Sequence, residues 1–268
     1  MKKVLVMIMA MVLTMGLMSC KGPQGTPGPA GPAGVGTPGA NAGDIPSNAT
    51  VILNENFDDQ AIGVTPTTSA GAWSRMATWA ASTNIYTTVT NTAFVSFNKS
   101  FMIKGMSTAN LDRDIIKSPL TDSLPSTTTG KVSIYFYVNK DAVANKGFCF
   151  YINQIEKARF DLTLDGKINV YTGVNTFYTA DTYTVNLFVK YAIILNLDTQ
   201  KYDVYANNIM VASNIPCYNS VEQYNGGAPI SSSVAVYTTF FGVMTQMSAA
   251  YTMDTMYLDN LLIYYTPN

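Results

Sequence analysis

The sequence predicts an all-β protein whose antiparallel strands pack as a sandwich or a barrel. Three observations predict this fold class. Apolar and polar residues alternate in several segments, most cleanly over residues 131–138, as in strands with one covered face. Successive segments begin roughly 8 to 12 residues apart, with turn residues between them. No segment shows a convincing helical period.

The N-terminal residues predict export and a lipid anchor. Two lysines follow Met1, and an apolar run from Val4 to Met18 ends at Ser19 and Cys20, which is the pattern of a secretory signal peptide. The segment resembles the lipobox of bacterial lipoproteins, although Met18 is bulkier than the usual residue. The resemblance implies a signal peptide over residues 1–19, acyl chains such as palmitate on Cys20, and a place at the outer membrane or cell surface. A plain signal peptide or a one-span anchor is the alternative, but the run is short for a span.

A linker rich in glycine and proline is predicted over residues 20–49. Residues 22–39 read GPQGTPGPAGPAGVGTPG, with glycine at every third position from Gly22 to Gly34 before the phase slips. This tract resembles the collagen-like repeats of some bacterial surface proteins, because three polyproline II chains need glycine where they meet. One interpretation is a homotrimer through this tract. The other is a stiff spacer that holds the following domain away from the membrane.

Residues 50–268 are predicted to form one domain of strands. Residues 50–57 are apolar and β-branched, and the segment ends at Asp58 and Asp59. The run Asp165-Gly166-Lys167 predicts a hairpin turn. The other predicted strands of the first part cover residues 131–138, 148–152, 160–164, 168–172 and 182–189.

Residues 190–212, KYAIILNLDTQKYDVYANNIMVA, predict a meander of three strands. Apolar residues alternate from Tyr191 to Leu197, and the next three residues, Asp198-Thr199-Gln200, form a turn. Asn207-Asn208 forms the second turn, since asparagine tolerates the left-handed conformation that tight turns require.

These segments resemble the concanavalin A-like lectin/glucanase superfamily, including laminin G-like modules. A hairpin of the form Y-x-N-G-x-x-V recurs there; Tyr205, Asn207 and Val211 match it, while Asn208 replaces the usual glycine. The further matches, in the same order as in the superfamily, are residues 54–58 (NENFD) with a later Trp73, Ser118-Pro119 before a long strand, and closing residues 257–264 (YLDNLLIY). The resemblance covers most of residues 50–266. It implies a jelly roll of two antiparallel sheets whose first and last strands lie side by side.

Charge and composition exclude several function classes. The chain has 16 basic and 17 acidic residues, and charged residues make up only 12% of it. This balance argues against nucleic acid as a partner. A polar but weakly charged surface is typical of extracellular β proteins and of surfaces that face glycans. The chain has no histidine, which removes the commonest general base and the commonest metal ligand.

The catalytic carboxylates of the superfamily are missing. Its glycosidases carry a Glu-x-Asp-x-x-Glu strand, in which one carboxylate acts as nucleophile and another as acid. Glu55, Glu156 and Glu222 are the only glutamates, and none shares a strand with a second carboxylate at that spacing, so no catalytic residue is assigned. A lyase that uses tyrosine with lysine or arginine stays open as an alternative. The residues available for it are Tyr171, Tyr183, Arg159 and Lys157.

Aspartates near both ends of the domain predict a metal site. Asp58 and Asp59 follow the first strand, and Asp254 and Asp259 belong to the closing strand. Pairing of these strands would bring their oxygen atoms together, and calcium prefers such ligands. The alternative is that Asp58 lies in a turn and that Asp259 and Asn260 satisfy backbone groups at a strand end.

Aromatic residues predict a carbohydrate site. Tyrosines opposite the apolar positions of their own strands could present flat rings to sugars. Packing under a loop or between strands is the alternative. The predicted ligand-binding residues are Trp73, Trp79, Tyr135, Tyr137, Tyr151 and Tyr171.

Two further cysteines follow Cys20. If Cys20 is acylated, Cys149 and Cys217 form an even pair in a compartment where disulfides persist, so a bridge is predicted. Two simply buried thiols are the alternative.

The sequence therefore predicts a surface-anchored lipoprotein with a non-catalytic, lectin-like module. Its expected partners are the membrane, through the lipid anchor, and a polysaccharide or a host or self glycan, so that it binds glycan or serves in adhesion. The alternatives are a structural envelope protein without a small ligand and a polysaccharide-degrading enzyme with an unusual site.

Overall fold

A computed structural model describes residues 45–68, 71–76, 85–91, 99–105, 113–117, 124, 129–141, 146–152, 155–173, 176–217, 220–221, 239–246 and 255–268. The predicted signal peptide, Cys20 and the collagen-like tract fall outside these residues. Within them the regular secondary structure consists of strands alone. Among the same residues, no helix has the length and apolar character that crossing a membrane requires.

The strands of the described residues are numbered in chain order. They are β1 (Thr50–Glu55), β2 (Thr67–Thr68), β3 (Gly71–Ala72), β4 (Ser74–Met76), β5 (Ile85–Thr90), β6 (Ser100–Gly105), β7 (Arg113–Lys117), β8 (Lys131–Lys140), β9 (Lys146–Ile152), β10 (Ile155–Leu162), β11 (Lys167–Gly173), β12 (Thr176–Thr182), β13 (Val189–Asn196), β14 (Lys201–Ala206), β15 (Ile209–Pro216), β16 (Ser220–Val221), β17 (Thr239–Gln246) and β18 (Thr255–Thr266).

Two antiparallel sheets of eight strands each form the fold. Sheet 1 has the order β15-β14-β13-β8-β18-β6-β5, and β1 also pairs with β18. Sheet 2 has the order β12-β11-β10-β9-β17-β7-β4, and β16 also pairs with β10. Strands β2 and β3 pair separately. The all-β, two-sheet jelly-roll sandwich predicted from the sequence is confirmed.

The hydrophobic core lies between the two sheets. In β8 of sheet 1, every second side chain is buried, including Ile134 and Phe136, and β9 of sheet 2 buries Phe148 and Phe150 against them. The Phe136 ring centroid lies 4.9 Å from that of Phe148 and 4.9 Å from that of Phe241. Because alternate residues fill the core, the residues between them are left on the two outer faces.

The predicted contact between the chain ends is confirmed. Strand β1 pairs with β18, with Thr50 opposite Tyr265 and Glu55 opposite Leu261. Strand β18 also pairs with β8 and β6, so both of its edges are covered.

The predicted hairpins are also confirmed. The turn at Gly166 joins β10 to β11, and its φ of 77° is one that glycine adopts without strain. The meander is β13, β14 and β15, with the second turn at Asn207 and Asn208, whose φ angles are 49° and 65°.

The predicted strand over residues 182–189 is wrong. Strand β12 ends at Thr182 and β13 begins at Val189. Tyr183, Val185 and Leu187 alternate with polar residues as in a strand. However, Tyr183 N and Asn186 N donate to carbonyl oxygens outside any strand ladder, and Asn186 has φ 59°. The strand lies earlier instead, as β12, a mostly exposed edge strand whose sequence, TFYTADT, lacks a clear apolar alternation.

Candidate functional site

The four predicted tyrosines divide between the two outer faces of the sandwich. Each alternates with inward-pointing residues of its own strand, but β8 belongs to sheet 1, whereas β9 and β11 belong to sheet 2. Tyr135 and Tyr137 therefore point away from the core on sheet 1, and Tyr151 and Tyr171 do so on sheet 2. The core separates the two faces, so the four rings cannot form one platform. Trp79 lies outside the described residues.

Two of the predicted aromatic residues are buried. Trp73 is 3% exposed and packs in the core against Phe57 and Phe101, at centroid distances of 6.0 and 5.0 Å. Tyr151 is 1% exposed, and its hydroxyl donates a hydrogen bond of 2.9 Å to Glu156 Oε2. Burial removes the ring face on which a sugar would stack. The predicted binding role of Trp73 and Tyr151 is therefore wrong, and packing is their role.

On sheet 1, the two tyrosines already have close neighbours. The Nζ atom of Lys190 lies 5.1 Å from the ring centroid of Tyr135, and the ring of Tyr264 stacks with Tyr135 at 5.9 Å. Burial raises the pKa of Tyr137, and the nearby Asp259 raises it further. Since a cation and a second ring already contact Tyr135, this face offers a ligand less free ring surface than an exposed aromatic side chain would.

The outer face of sheet 2 carries an ion pair centred on Arg159. Its Nε and Nη2 atoms donate to Asp161 Oδ1 and Oδ2 at 2.9 and 2.7 Å, a bidentate geometry. The two residues are two positions apart in β10, so the period of the strand places both side chains on one face. The guanidinium also lies 4.0 Å from the ring centroid of Tyr171, and the Tyr171 hydroxyl donates to Asp161 Oδ2 at 2.8 Å. Each of the three groups thus fixes the position of the other two.

Neighbouring groups keep this ion pair charged and fix its position from the core side of sheet 2. Burial by itself would lower the pKa of the Arg159 guanidinium, but the charge and hydrogen bonds of Asp161, together with the charge of Glu156, raise it well above its ordinary value. Arg159 therefore stays charged. From β14, the buried Tyr202 hydroxyl lies 2.9 and 2.5 Å from the carbonyl oxygens of Arg159 and Tyr171, so a core side chain links the two strands that carry the pair.

Strand β12 adds an exposed aromatic ring beside the ion pair. Phe177 stands opposite Tyr171 in the ladder and is 50% exposed, and the two ring centroids lie 5.4 Å apart. Next to them, the Thr179 hydroxyl donates to Asn169 Oδ1 at 2.9 Å. The exposed groups of this surface are the Phe177 ring and the Thr179 hydroxyl, with the half-buried Tyr171 ring beside them, whereas Arg159 and Asn169 are buried. We call this surface the sheet 2 platform, and its members are Arg159, Asp161, Asn169, Tyr171, Phe177 and Thr179.

The residues considered for a lyase belong to separate contacts. Arg159 and Tyr171 lie together, but the Tyr171 hydroxyl donates to a carboxylate. Tyr183 instead contacts Lys140, whose Nζ lies 3.1 Å from the tyrosine hydroxyl. The Nζ atom of Lys157 donates to a side-chain amide at 2.9 Å. Arg159 and Tyr171 share Asp161 as a partner, whereas Tyr183 and Lys157 contact other groups, so the four side chains do not form one site.

Two buried carboxyl groups lie where β1 meets β18. Burial raises the pKa of Glu55 to about 7; the hydrogen bond from Phe57 N opposes this shift, and the charge of Asp59 adds to it. Burial likewise raises the pKa of Asp259 to about 8, with further contributions from Asp58 and Glu55. Both carboxyl groups therefore titrate near neutral pH in the folded protein.

The same junction holds buried polar atoms that lack hydrogen-bond partners among the described residues: Asp259 Oδ2 and the amide oxygen and nitrogen of Asn260. Oxygen atoms held in this way fit the preference of calcium. However, within the described residues no group of three or more His, Cys, Asp or Glu side chains could hold a metal ion. Asp58 Oδ1 accepts a hydrogen bond from Lys99 N at 3.1 Å, and Asp254 lies outside the described residues. The calcium site therefore stays a prediction.

The predicted disulfide is wrong, because Cys149 and Cys217 are both buried free thiols. The Sγ atom of Cys149 donates to the carbonyl oxygen of Gly242 in the neighbouring strand β17 at 3.4 Å, whereas Cys217 follows β15 of the other sheet. Burial raises the pKa of Cys217 to about 11, which keeps this thiol protonated and unreactive.

Comparisons with known proteins bear on the fold. No protein-family model matches the chain, and no curated protein matches it. The chain is similar to the solved structure of the cellulose-induced protein Cip1. The TM-score is 0.50 at 13% sequence identity, over 79% of this chain and 96% of Cip1. At this identity, the likeness to Cip1 shows the fold alone.

Two further solved structures are similar at lower TM-scores. A sialidase matches with a TM-score of 0.49 and 12% identity, over 83% of this chain, which spans only 19% of the sialidase. The alginate lyase AlgAT5 from polysaccharide lyase family 7 matches with a TM-score of 0.45 and 11% identity, over 81% of this chain and 94% of the lyase.

Reasoning from the sequence missed most of the sheet 2 platform. Of its members, only Tyr171 is predicted as a ligand-binding residue. A signal was present, because Arg159 and Asp161 share a face by their spacing, as do Asn169 and Tyr171. Phe177 gave no signal, since its importance comes from the pairing of β12 with β11.

Proposed function

We propose that the sandwich binds a glycan at the sheet 2 platform without cleaving it. The observation that carries this proposal is the exposed Phe177 ring set against Tyr171, next to a fixed ion pair. Aromatic rings bury apolar sugar faces at a low cost in conformational entropy, and a few placed polar groups give orientation. The name of Cip1 connects that protein with cellulose, which is in keeping with a polysaccharide as ligand.

Binding rather than cleavage is proposed because the platform lacks a working pair of carboxyl groups. A glycosidase of the two-carboxylate type needs one group that gives a proton and one that acts as nucleophile or base. Asp161 is held by Arg159 and Tyr171. Glu156, on the same strand, is fully buried and accepts a hydrogen bond from Tyr151, so it does not face a ligand.

Two adjacent aromatic residues of β12 give a matched test of this site. Phe177 faces the platform, whereas Tyr178, 39% exposed, stands opposite the core residue Val170 and faces the other side. Calorimetry of the detergent-solubilised chain against a panel of glycans should show that Phe177→Ala weakens binding by about fivefold or more. Tyr178→Ala should leave the affinity unchanged.

Other outcomes of this experiment would contradict the proposal. If the wild-type chain binds no glycan of the panel, the binding function is wrong. If Tyr135→Ala or Tyr137→Ala abolishes binding while Phe177→Ala does not, the site lies on sheet 1 instead. Melting curves of all variants exclude unfolding as the cause of a lost signal.

We further propose that acylated Cys20 anchors the protein at the outer membrane or cell surface and that residues 22–39 act as a spacer or a trimer stem. A platform on a sheet face is shallow, so each site should bind weakly, and many anchored copies would supply avidity. Mass spectrometry of the detergent phase should detect a lipid-modified Cys20 peptide. A Cys20→Ala chain that still partitions with membranes would contradict the anchor.

We also propose a structural calcium ion at the junction of β1 and β18. The support is the set of unpartnered oxygen atoms on Asp259 and Asn260 beside the carboxyl groups of Glu55 and Asp58. A bound cation would keep these carboxyl groups ionised and hold the two chain ends together. Calorimetric titration with calcium tests the proposal, and absence of binding by the metal-free chain would contradict it.

A further inference from the structure

The charges around the sheet 2 platform point to a class of ligand. This inference rests on the proposed glycan binding and narrows it. We infer that the platform accepts uncharged saccharides and rejects those whose sugars carry carboxylates, such as uronates and sialic acids. Three sets of contacts support it: those of the central arginine, those of the neighbouring lysines, and those of the carboxylates nearby.

Arg159 is the cation at the centre of the platform, and its guanidinium group is already paired with the Asp161 carboxylate. Two of its nitrogen atoms donate to the two carboxylate oxygens at 2.9 and 2.7 Å. A sugar carboxylate would have to compete with Asp161 for the bidentate edge. Asp161 belongs to the same strand and is also held by the Tyr171 hydroxyl. Asp161 therefore loses no translational freedom when it pairs with Arg159, whereas a free ligand does.

The lysines of β10 and β11 are also engaged. The Nζ atom of Lys157 donates to Gln200 Oε1 at 2.9 Å, and the Nζ atom of Lys167 lies 2.5 Å from Asp165 Oδ2 in the turn between the strands. Apart from Arg159 and these two lysines, the sequences of β10, β11 and β12 contain no lysine or arginine. These three strands therefore hold no further cation for an acidic sugar.

Carboxylates near Arg159 would oppose a second negative charge. Asp161 is mostly buried, with 14% of its side chain exposed. The negative charge of Glu156 also interacts with the guanidinium, because it contributes to the raised pKa of Arg159. A sugar carboxylate at the platform would meet these like charges where water screens them poorly, which is unfavourable.

The remaining groups of the platform suit sugar hydroxyls. The Thr179 hydroxyl donates to Asn169 Oδ1, and its oxygen can still accept a hydrogen bond from a ligand. The rings of Tyr171 and Phe177 need only the apolar face of a sugar, which carries no charge. A neutral saccharide can therefore contact the two rings and the Thr179 hydroxyl without separating the ion pair.

The test compares neutral and acidic oligosaccharides of matched length on the detergent-solubilised full chain. The neutral set contains oligomers of glucose and of xylose, and the acidic set contains oligomers of galacturonate and of mannuronate. Calorimetry should show that a neutral oligomer binds at least about tenfold more tightly than any acidic one. Added salt should strengthen residual binding of acidic oligomers, because screening weakens repulsion, and should leave neutral binding unchanged.

Two substitutions separate the local charge from the overall charge. Asp161→Asn removes the carboxylate that occupies Arg159, so binding of galacturonate oligomers should become about tenfold tighter. Asp203→Asn removes the same charge from β14 on the outer face of sheet 1, far from Arg159, and should leave the preference as it is. If Asp161→Asn does not fold, the salt dependence of the wild-type chain decides.

Each outcome separates this inference from the function on which it rests. Acidic oligomers that bind as tightly as neutral ones, or acidic binding that weakens with salt, would overturn the inference and leave glycan binding intact. A folded Asp161→Asn chain that gains no acidic binding would overturn it as well. If neither set binds, the proposed function and the inference both fail.

Discussion

At the scale of single residues, Tyr202 shows how the core supports the candidate site. Its ring is buried between the sheets, and its hydroxyl reaches the carbonyl oxygens of Arg159 and Tyr171. Burial raises the pKa of Tyr202 far above its ordinary value, so the hydroxyl keeps its proton and donates throughout the physiological range. A core residue thus fixes two strands of the platform.

Tyr202→Phe should therefore cost stability. The change leaves buried carbonyl oxygens without this donor, which costs about 1–3 kcal/mol of the free energy of unfolding. Tyr205→Phe on the same strand is the matched control, because Tyr205 is only partly buried on the outer face, and its change should stay within about 0.5 kcal/mol. Urea unfolding measures both, and equal losses would contradict the role assigned to the Tyr202 hydroxyl.

At the scale of elements, the entry to β8 depends on one glycine. Gly130 has φ 101°; its nitrogen donates to Asp198 Oδ2 at 3.0 Å, and its oxygen accepts from Leu197 N at 2.8 Å. A Cβ atom added here would overlap the carbonyl oxygen of Thr266 at the end of β18. The start of β8 and the end of β18 are therefore packed so closely that only glycine fits.

Gly63 provides a control that separates backbone strain from this steric clash. It has φ 87°, but no atom lies within 4 Å of an added Cβ. Gly63→Ala should cost about 1–2 kcal/mol through the left-handed backbone alone. Gly130→Ala should cost about 1–3 kcal/mol more, because backbone atoms must move. Thermal or urea unfolding compares them, and a Gly130 variant no less stable than the Gly63 variant would contradict the close packing.

At the scale of the whole molecule, the junction of the chain ends should make stability depend on pH. The pKa values of Glu55 and Asp259 are about 7 and about 8 in the folded chain, against 4.5 and 3.8 for the unperturbed groups. The folded state therefore binds more protons than the unfolded state between about pH 4 and pH 8, so stability falls as pH rises through this window. Each group contributes at most about 1.4 kcal/mol per pH unit.

Melting curves at pH 5 and pH 8 in the presence of a chelator should show the lower stability at pH 8, and Asp259→Asn should reduce the difference. If calcium binds the junction as proposed, calcium added at pH 8 should raise the melting temperature, since ligands that bind only the folded state stabilise it. A melting temperature that is higher at pH 8 in the chelator would contradict the buried, protonated carboxyl groups.

The sequence by itself determined the features that depend on local order. Strict alternation in β8 identified a strand with one buried face, and Gly166, Asn207 and Asn208 identified turns because their backbone conformations are available to few residues. The spacing of these segments predicted a sandwich or a barrel, and their resemblance to a known superfamily implied a jelly roll whose first and last strands pair. The alternation over residues 182–189 misled because period two does not require a hydrogen-bonded partner strand.

Tertiary structure alone decided which outward-facing side chains meet. Period two placed Tyr135 and Tyr171 opposite the core in the same way, but strand pairing assigned them to different sheets and hence to opposite faces. Phe177 contacts Tyr171 only because of the register of β11 with β12. Trp73 is buried in the core by contacts with residues distant in sequence, such as Phe101. Such contacts link positions that no local pattern relates, so the physical cause of the site lies in the pairing of strands.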